Sequence, residues 1–415
     1  MKLFLTFATA LMCTLVFGQT EINITCYNVL NFPTGSMLNR QDTLKKILNY
    51  TQPDLLLLQE LKSEEGLTSI AEQSCADLDG NYVSSTWISQ QSNQNSDWQL
   101  QQAIVYNNDV FGLDEERLKT TDVRDINIYK LFLRDIELQN GADTTFIYVF
   151  VTHLKSSSGS DNEAARLQMA EVFVNALTEI DPNSYCIFGG DFNVYSSSEP
   201  AYQLLLNAEN SIVFEDPIDA PGNWTSSTYP FKEILTQSTR TSQIFGDGAG
   251  GGLDDRFDFI LASENLMDQN EPLHYQSDSY LALANNGTCY NQNITDCEED
   301  NEVPMEIIQA LYYMSDHLPV LMKLETQIEL AINNEITFDP NLNVFSDGKS
   351  LFLFDESAQQ SIFMVDLFDV TGKRVKSVQM SSGAHIVLND FTAGIYVAQV
   401  RKGNELVKVA KFIRN

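Results

Sequence analysis

The stretch YCIFGGDFNV, Tyr185 to Val194, is an apolar run that ends in two glycines, then Asp191, then Asn193 two residues later. The same arrangement recurs along the chain. Asn28 ends INITCYN, Glu60 ends LLLLQE, and His153 ends IYVFVTH. Asp258 lies within RFDFIL, and Asp316 and His317 open DHLPV. Taken singly, each has an ordinary explanation: a turn cap, a solvated strand end, a satisfied histidine. Taken together they are a chemistry set. Charged and amide groups beside apolar strands are costly to bury unless paired or ligated. Only four histidines occur in the chain, and two of them stand in these motifs. Imidazole changes protonation near neutral pH. Carboxylates with amides and few sulfurs suit a hard cation, Mg²⁺ or Mn²⁺, rather than zinc.

Residues so far apart meet only if the strands end at one edge of a layered fold. DLLLLQE, QQAIVYN, FIYVFVTHL, YCIFGGDF, RFDFILAS and LPVLMKLE read as short strands. Helical patterns lie between some of them, as in RQDTLKKILNY, NEAARLQMAEVFVNALTEI and EPAYQLLLNAE. Interleaved strands and helices predict an α/β fold. Continuous runs such as DLLLLQ predict strands covered on both faces. Gly189 and Gly190, with no side chains, read as room for the backbone to approach a substrate. The Gly-rich loop TSQIFGDGAGGGLDD has no lysine, so it is not a nucleotide-binding P-loop.

TCYNVLNF, DLLLLQE, VTHLKS, GGDFN, DDRFDFIL and MSDHLPV occur in the order found in the endonuclease/exonuclease/phosphatase superfamily, which residues 21–325 resemble. The resemblance implies a four-layer α/β sandwich, two packed mixed β-sheets flanked by helices, with the site at one end. It implies that Glu60 holds the divalent ion with help from Asn28 and Asp316. It implies that Asp191 activates or orients the attacking water and that Asn193 holds the water or a phosphoryl oxygen. Asp258 would fix the ring of His317, and His153 would contact the phosphate and assist the leaving group. Sequence leaves open whether Asp191 or His317 is the base.

The remaining features bound the setting. The chain has 415 residues and a formal net charge of -32, which argues against tight binding to duplex nucleic acid through a broad basic surface. Residues 1–18 read as a signal peptide: Lys2, the run LFLTFATALMCTLVFG, and Val16 and Gly18 before a cleavage point at Gln19. An N-terminal anchor is the competing reading; no other stretch is long and apolar enough for a span. Residues 326–340 read as a linker. From Glu335 onward acids and bases balance, nine of each, so the acidity belongs to the first domain. Residues 341–415 contain short, regularly spaced strands that predict a small β-sandwich. There MVDLFDVTGKRVKSV and FTAGIYVAQV resemble the sorting domain of the type IX secretion system, which implies that machinery as a partner and an extracellular or cell-surface destination. A sugar-binding or adhesion sandwich is the competing reading of this segment. Cys289 and Cys297 read as a disulfide, and Cys26 and Cys186 as buried thiols. The expected protein is a monomeric, secreted phosphoester hydrolase. A phosphodiesterase such as an extracellular nuclease, with nucleic acid as substrate, leads. A sphingomyelinase-like lipid-headgroup phosphodiesterase competes; Trp87, Trp98 and Trp224 are its candidate apolar rim. A phosphatase fits the same motifs, and a non-catalytic surface or binding protein would fit the fold without the chemistry.

Overall fold

A computed structural model describes residues 20–34, 39–95, 99–135, 144–244, 246–297, 301–328, 330, 342–355, 361–369, 373–389, 391–402 and 405–414. The signal-peptide residues, most of the linker and Trp98 lie outside them. The chain divides into two compact units, Met1–Ile332 and Asn333–Asn415.

Among the described residues the first unit holds thirteen strands: β1 Thr20–Phe32, β2 Leu55–Leu61, β3 Tyr82–Ser84, β4 Gln101–Asn107, β5 Phe111–Lys119, β6 Ile126–Leu133, β7 Phe146–His153, β8 Tyr185–Asp191, β9 Phe214–Glu215, β10 Asp258–Ser263, β11 Leu273–Tyr275, β12 Leu281–Ala282 and β13 Val320–Thr326. One sheet runs β11-β13-β1-β2-β4-β3, with β12 also on β13; the other runs β5-β6-β7-β8-β10-β9. Both are mixed. β1 and β2 are parallel, as are β7 and β8, while β10 runs antiparallel to β8.

Alternation along each strand builds three apolar layers. Ile22, Ile24, Cys26, Leu55 and Leu57 of the first sheet share a core with Val149, Val151, Ile187 and Ile260 of the second. Their strand neighbours point the other way. Tyr27, Val29, Leu56 and Leu58 pack with helices α1 (Arg40–Thr51) and, later in the chain, Met305–Met314. Phe150, Cys186 and Phe188 pack with Met169, Phe173 and Leu177 of the helix Ser160–Leu177. The order is helix, sheet, sheet, helix. DLLLLQ is continuously apolar because β2 has protein on both faces.

The two glycines of YCIFGGDFNV serve this packing. A Cβ on Gly189 would lie 2.5 Å from the Leu57 side chain in the opposite sheet, and one on Gly190 would lie 1.9 Å from the Thr152 carbonyl oxygen. The expectation that they clear space for a substrate is therefore corrected: protein, not ligand, occupies the space beside them. The Cys289–Cys297 disulfide is formed, and Cys26, Cys75 and Cys186 are buried free thiols.

The second unit is a β-sandwich. A three-stranded sheet (Leu342–Ser346, Ser350–Asp355, His385–Val387) and a four-stranded sheet (Ile362–Asp369, Arg374–Ser381, Gly394–Lys402, Glu405–Arg414) close on one core that includes Leu351, Leu353, Val365, Leu367 and Ala398. No helix among the described residues is long and apolar enough to cross a membrane.

Candidate active site

Strand register brings three of the site residues together. His153 ends β7 opposite Asp191, and Asp191 ends β8 opposite Asp258, the first residue of β10. Three neighbouring strands of one sheet thus present an imidazole and two carboxylates side by side. The other sheet supplies Asn28 on β1 and Glu60 on β2, where Asn28 pairs with Gln59. The segment between the helix Met305–Met314 and β13 supplies Asp316 and His317. Ser315 fastens that segment: its hydroxyl donates to the Asn28 carbonyl at 2.7 Å and accepts the His317 N–H at 3.1 Å.

Hydrogen bonds then set the side chains. The Asn28 oxygen accepts the Leu30 N–H at 3.0 Å. Its amide nitrogen therefore faces the carboxylates, donating to Glu60 at 3.0 Å and to Asp191 at 3.1 Å. Glu60 also accepts the Asn31 N–H at 3.1 Å. Asp191 Oδ1 accepts from the Asn193 backbone at 3.1 Å and from its side-chain amide at 2.7 Å. Asp191 Oδ2 lies 3.3 Å from His153 Nε2 and 3.6 Å from His317 Nε2. His317 Nδ1 is 2.8 Å from Asp258 Oδ2. Asp316 Oδ2 accepts the Ala249 N–H at 2.6 Å. Glu60 and Asn193 sit at φ 62° and 52°, conformations unusual for non-glycine residues. Such strain concentrates at functional sites, where surrounding bonds hold it in place.

Burial and neighbouring charge separate the titrations. Burial pushes the Asp191 carboxyl up to about 7, with the charges of Asp258 and Glu60 adding to it and His317 opposing. Glu60 is raised by burial and then by Asp316. His153 is held well below its ordinary range by burial and by Arg124, so its ring is neutral. For His317 burial favours the neutral ring, but Asp258 and Asp191 together outweigh it and hold the ring protonated well above the usual range.

These residues line one cavity of about 570 Å³, together with Asn31, Arg124, Lys155, Gln237 and the Gly246–Gly248 turn. All the sequence-identified residues meet here except Asn28 and Asp258, which stand behind the wall and hold residues that line it. Sequence reasoning missed three of the groups. Gln237 places its amide against both Asp316 and the His317 ring. Arg124 anchors the chain after His153. Asn31 bridges to Asp247 at 3.0 Å. Arg124 precedes the apolar strand INIYKLFL, so the strand-edge pattern could have flagged it. Gln237 lies in irregular chain and carried no such signal.

The donor set fits a hard divalent ion. Asp316 Oδ1 is buried without a hydrogen-bond partner among the described residues. After burial, the like charge of Asp316 is what raises the Glu60 carboxyl most. A cation between two such carboxylates would satisfy both. Glu60, His153 and Asp191 each bring a ligand atom within 4.8 Å of the others, as do Asp191, Asp258 and His317, where Asp258 already holds His317 Nδ1.

Stability should report this charge arrangement. Asp191, raised to about 7, favours the folded state while protonated, and that contribution is lost as pH rises from its ordinary value of 3.8 to about 7. His317, also raised, loses its contribution in the same direction. His153 acts oppositely, but only at and below its ordinary range. The metal-stripped protein should therefore lose thermal stability as pH rises from about 6.5 to 8, through His317 and the last of the Asp191 contribution, and Mg²⁺ or Mn²⁺ should restore it. A melting temperature that stays flat or rises over that window without metal contradicts the assignment.

Comparison with known proteins agrees with the strand-end motifs. The Endonuclease/Exonuclease/phosphatase family model matches residues 25–317, and the Secretion system C-terminal sorting domain model matches residues 349–415. No curated protein matches the chain. Similar solved structures include D. rerio TDP2 complexed with a single strand DNA product, at 15% identity over 74% of this chain and 100% of that one, with a TM-score of 0.46. An endonuclease/exonuclease/phosphatase from Bacteroides vulgatus is 17% identical over 74% of this chain and 99% of that one, with a TM-score of 0.47. The human Nocturnin catalytic domain with bound sulfate is 15% identical over 74% and 97%, with a TM-score of 0.43. The family model alone spans well over half of the sequence, and the chain belongs to the endonuclease/exonuclease/phosphatase family, with a secretion sorting domain at its C-terminus.

Proposed function

We propose that this protein is an exported phosphodiesterase that uses Mg²⁺ or Mn²⁺, with nucleic acid the leading substrate class. The observation that carries the reading is the meeting of Glu60, Asp191, Asp316 and His317 on one cavity, with Asp258 locked on the far side of the His317 ring. Family membership supports metal-dependent phosphoester hydrolysis, and the sorting domain implies export to the cell surface or beyond.

In this reading Glu60 and Asp316 hold the ion, and Asn28 fixes Glu60 and Asp191 through its amide. Bound there, a divalent ion supplies Lewis-acid stabilisation of phosphoryl charge. Asp191 takes the proton of the attacking water. Its carboxyl sits near the pH of reaction, where a general base works best. Asn193 holds Asp191 Oδ1, leaving Oδ2 for the water. His317 stays protonated and donates to a non-bridging oxygen as charge develops there. A carboxyl near 7 beside a ring held protonated well above its usual range supports Asp191 as base and His317 as donor. His153, neutral, contacts the phosphate on the leaving-group side.

The lipid-headgroup reading loses most of its support from side chains. Trp224 is fully buried in the core, and Trp87 is partly buried against another core cluster. Neither forms an exposed apolar rim. The test is a substrate panel with Mg²⁺ and with Mn²⁺: single-stranded and plasmid DNA, RNA, sphingomyelin vesicles and phosphomonoesters. Hydrolysis of DNA or RNA above the other substrates is expected. Preference for sphingomyelin or for monoesters would overturn the assignment of substrate class.

A further inference from the structure

Arg124 and Lys155 stand out because the rest of the chain is so acidic. The formal net charge is -32, and several cations elsewhere in the first unit find carboxylates. Lys45 pairs with Asp77, Lys119 with Glu179, Arg166 with Glu199 and Arg256 with Asp216. Arg124 and Lys155 do not. Among the described residues no carboxylate oxygen lies within 4.0 Å of either cation. Both line the catalytic cavity.

The guanidinium is held from one end. Its Nη1 donates to the Leu154 carbonyl at 3.0 Å and to the His153 carbonyl at 3.4 Å. These anchors place the group beside the backbone of His153. Nε and Nη2 have no protein partner among the described residues. A guanidinium is a planar fork with donors on two edges, and two parallel bonds to one phosphoryl group match that fork. The Lys155 ammonium donates to the Ser156 carbonyl at 2.8 Å, which leaves two of its three donors. The two cations are near enough that Arg124 lowers the Lys155 pKa, after burial. Like charges set side by side, half-buried and unpaired, are unfavourable unless an anion joins them.

We propose that Arg124 and Lys155 form an oxyanion subsite that grips the non-bridging oxygens of the substrate phosphoryl group, on the His153 side of the cavity. The inference rests on the phosphoester reading of the same cavity and adds the residues that recognise the phosphate. It divides the labour. The carboxylates take the cation, and the Arg124–Lys155 pair takes the anion. It also explains how so acidic a protein draws in a negatively charged ester: the two cations make a local positive wall inside a negative surface.

The test uses the full chain and two probes, inorganic phosphate and bis(4-nitrophenyl) phosphate. Phosphate is read first by thermal shift and calorimetry with Mn²⁺ present, so no turnover is needed. Arg124→Gln should weaken phosphate binding roughly 10–100-fold, the range expected for losing charge-assisted hydrogen bonds. It should lower kcat/KM for the diester by a similar factor, while Mn²⁺ still activates the variant. Arg124→Lys should recover only part, because an ammonium lacks the fork. Lys155→Gln, at a more exposed position, should weaken phosphate several-fold and serves if Arg124→Gln fails to fold. Unchanged phosphate affinity in both Arg124→Lys and Lys155→Gln overturns the subsite, as does wild-type protein that binds no phosphate. Wild-type protein that binds phosphate through Arg124 but hydrolyses no ester keeps the subsite and sinks the hydrolase reading instead.

Discussion

Replacing Asp191 by asparagine will lower kcat by roughly 10²–10⁴-fold, the contribution of a positioned general base. The substitution preserves size and keeps an amide oxygen for the two Asn193 donors, while its NH2 replaces the oxygen that accepts from Asn28. Asp191 Oδ2 is the atom that matters. It lies between Asn28, His153 and His317, at 3.1, 3.3 and 3.6 Å. A water there would meet a carboxylate whose pKa has been lifted to about 7 by burial and by nearby acids. Stability supplies a control. The asparagine carries no charge to bury, so at pH 8 without metal the variant should melt no lower than the wild type. Activity within tenfold of wild type would remove Asp191 from the role of base.

Replacing His317 by alanine will cost activity and stability together. Loss of one preorganised donor to a developing oxyanion is worth roughly 10²–10³ in rate. The same change strands Asp258, a carboxylate with no solvent exposure whose partner sits 2.8 Å away. Leaving one member of a buried pair unpartnered costs about 3–5 kcal/mol. The two effects separate in a double variant. Adding Asp258→Asn to His317→Ala removes the stranded charge, so most of the stability should return while activity stays lost. Residues that act as one unit are also non-additive in rate: Asp258→Asn should cost much less on the His317→Ala background than alone. A double variant that regains activity along with stability would show that His317 only supports the fold.

Much of the site was legible in the sequence for a definite reason. Both sheets are covered on both faces, so the strands are continuous apolar runs and the polar residue at each end is conspicuous. Glu60 after LLLLQ and His153 after IYVFVT are the clearest cases. Register was not legible. Nothing local in YCIFGGDFNV or RFDFIL says that Asp191 faces Asp258 across a ladder, because pairing is set by non-local packing. Gly189 and Gly190 were misread for the same reason. A glycine reports that something comes close, and only the fold shows that it is Leu57 and the Thr152 carbonyl. Trp224 was open to either reading, because an aromatic in a polar stretch can serve a rim or a core. It stacks edge-on with Tyr202 and Phe259 in the interior. Gln237 lies in irregular chain, where no periodicity marks a functional side chain.

The sorting domain illustrates the same boundary. Short strands at regular spacing foretold a β-sandwich, and two sheets on a single core are found. The balance of charge in that segment marked it off from the acidic first unit. Its partner in export is a matter of recognition surfaces, which strand spacing does not encode.

The most direct test of the central claim is the hydrolysis of bis(4-nitrophenyl) phosphate by metal-stripped, full-length protein as Mn²⁺ is added, for the wild type and for Glu60→Gln. The account predicts no turnover in chelator, saturable recovery in the wild type, and little or no recovery in Glu60→Gln over the same metal range. Turnover that persists in chelator, or recovery in Glu60→Gln equal to the wild type, would contradict it.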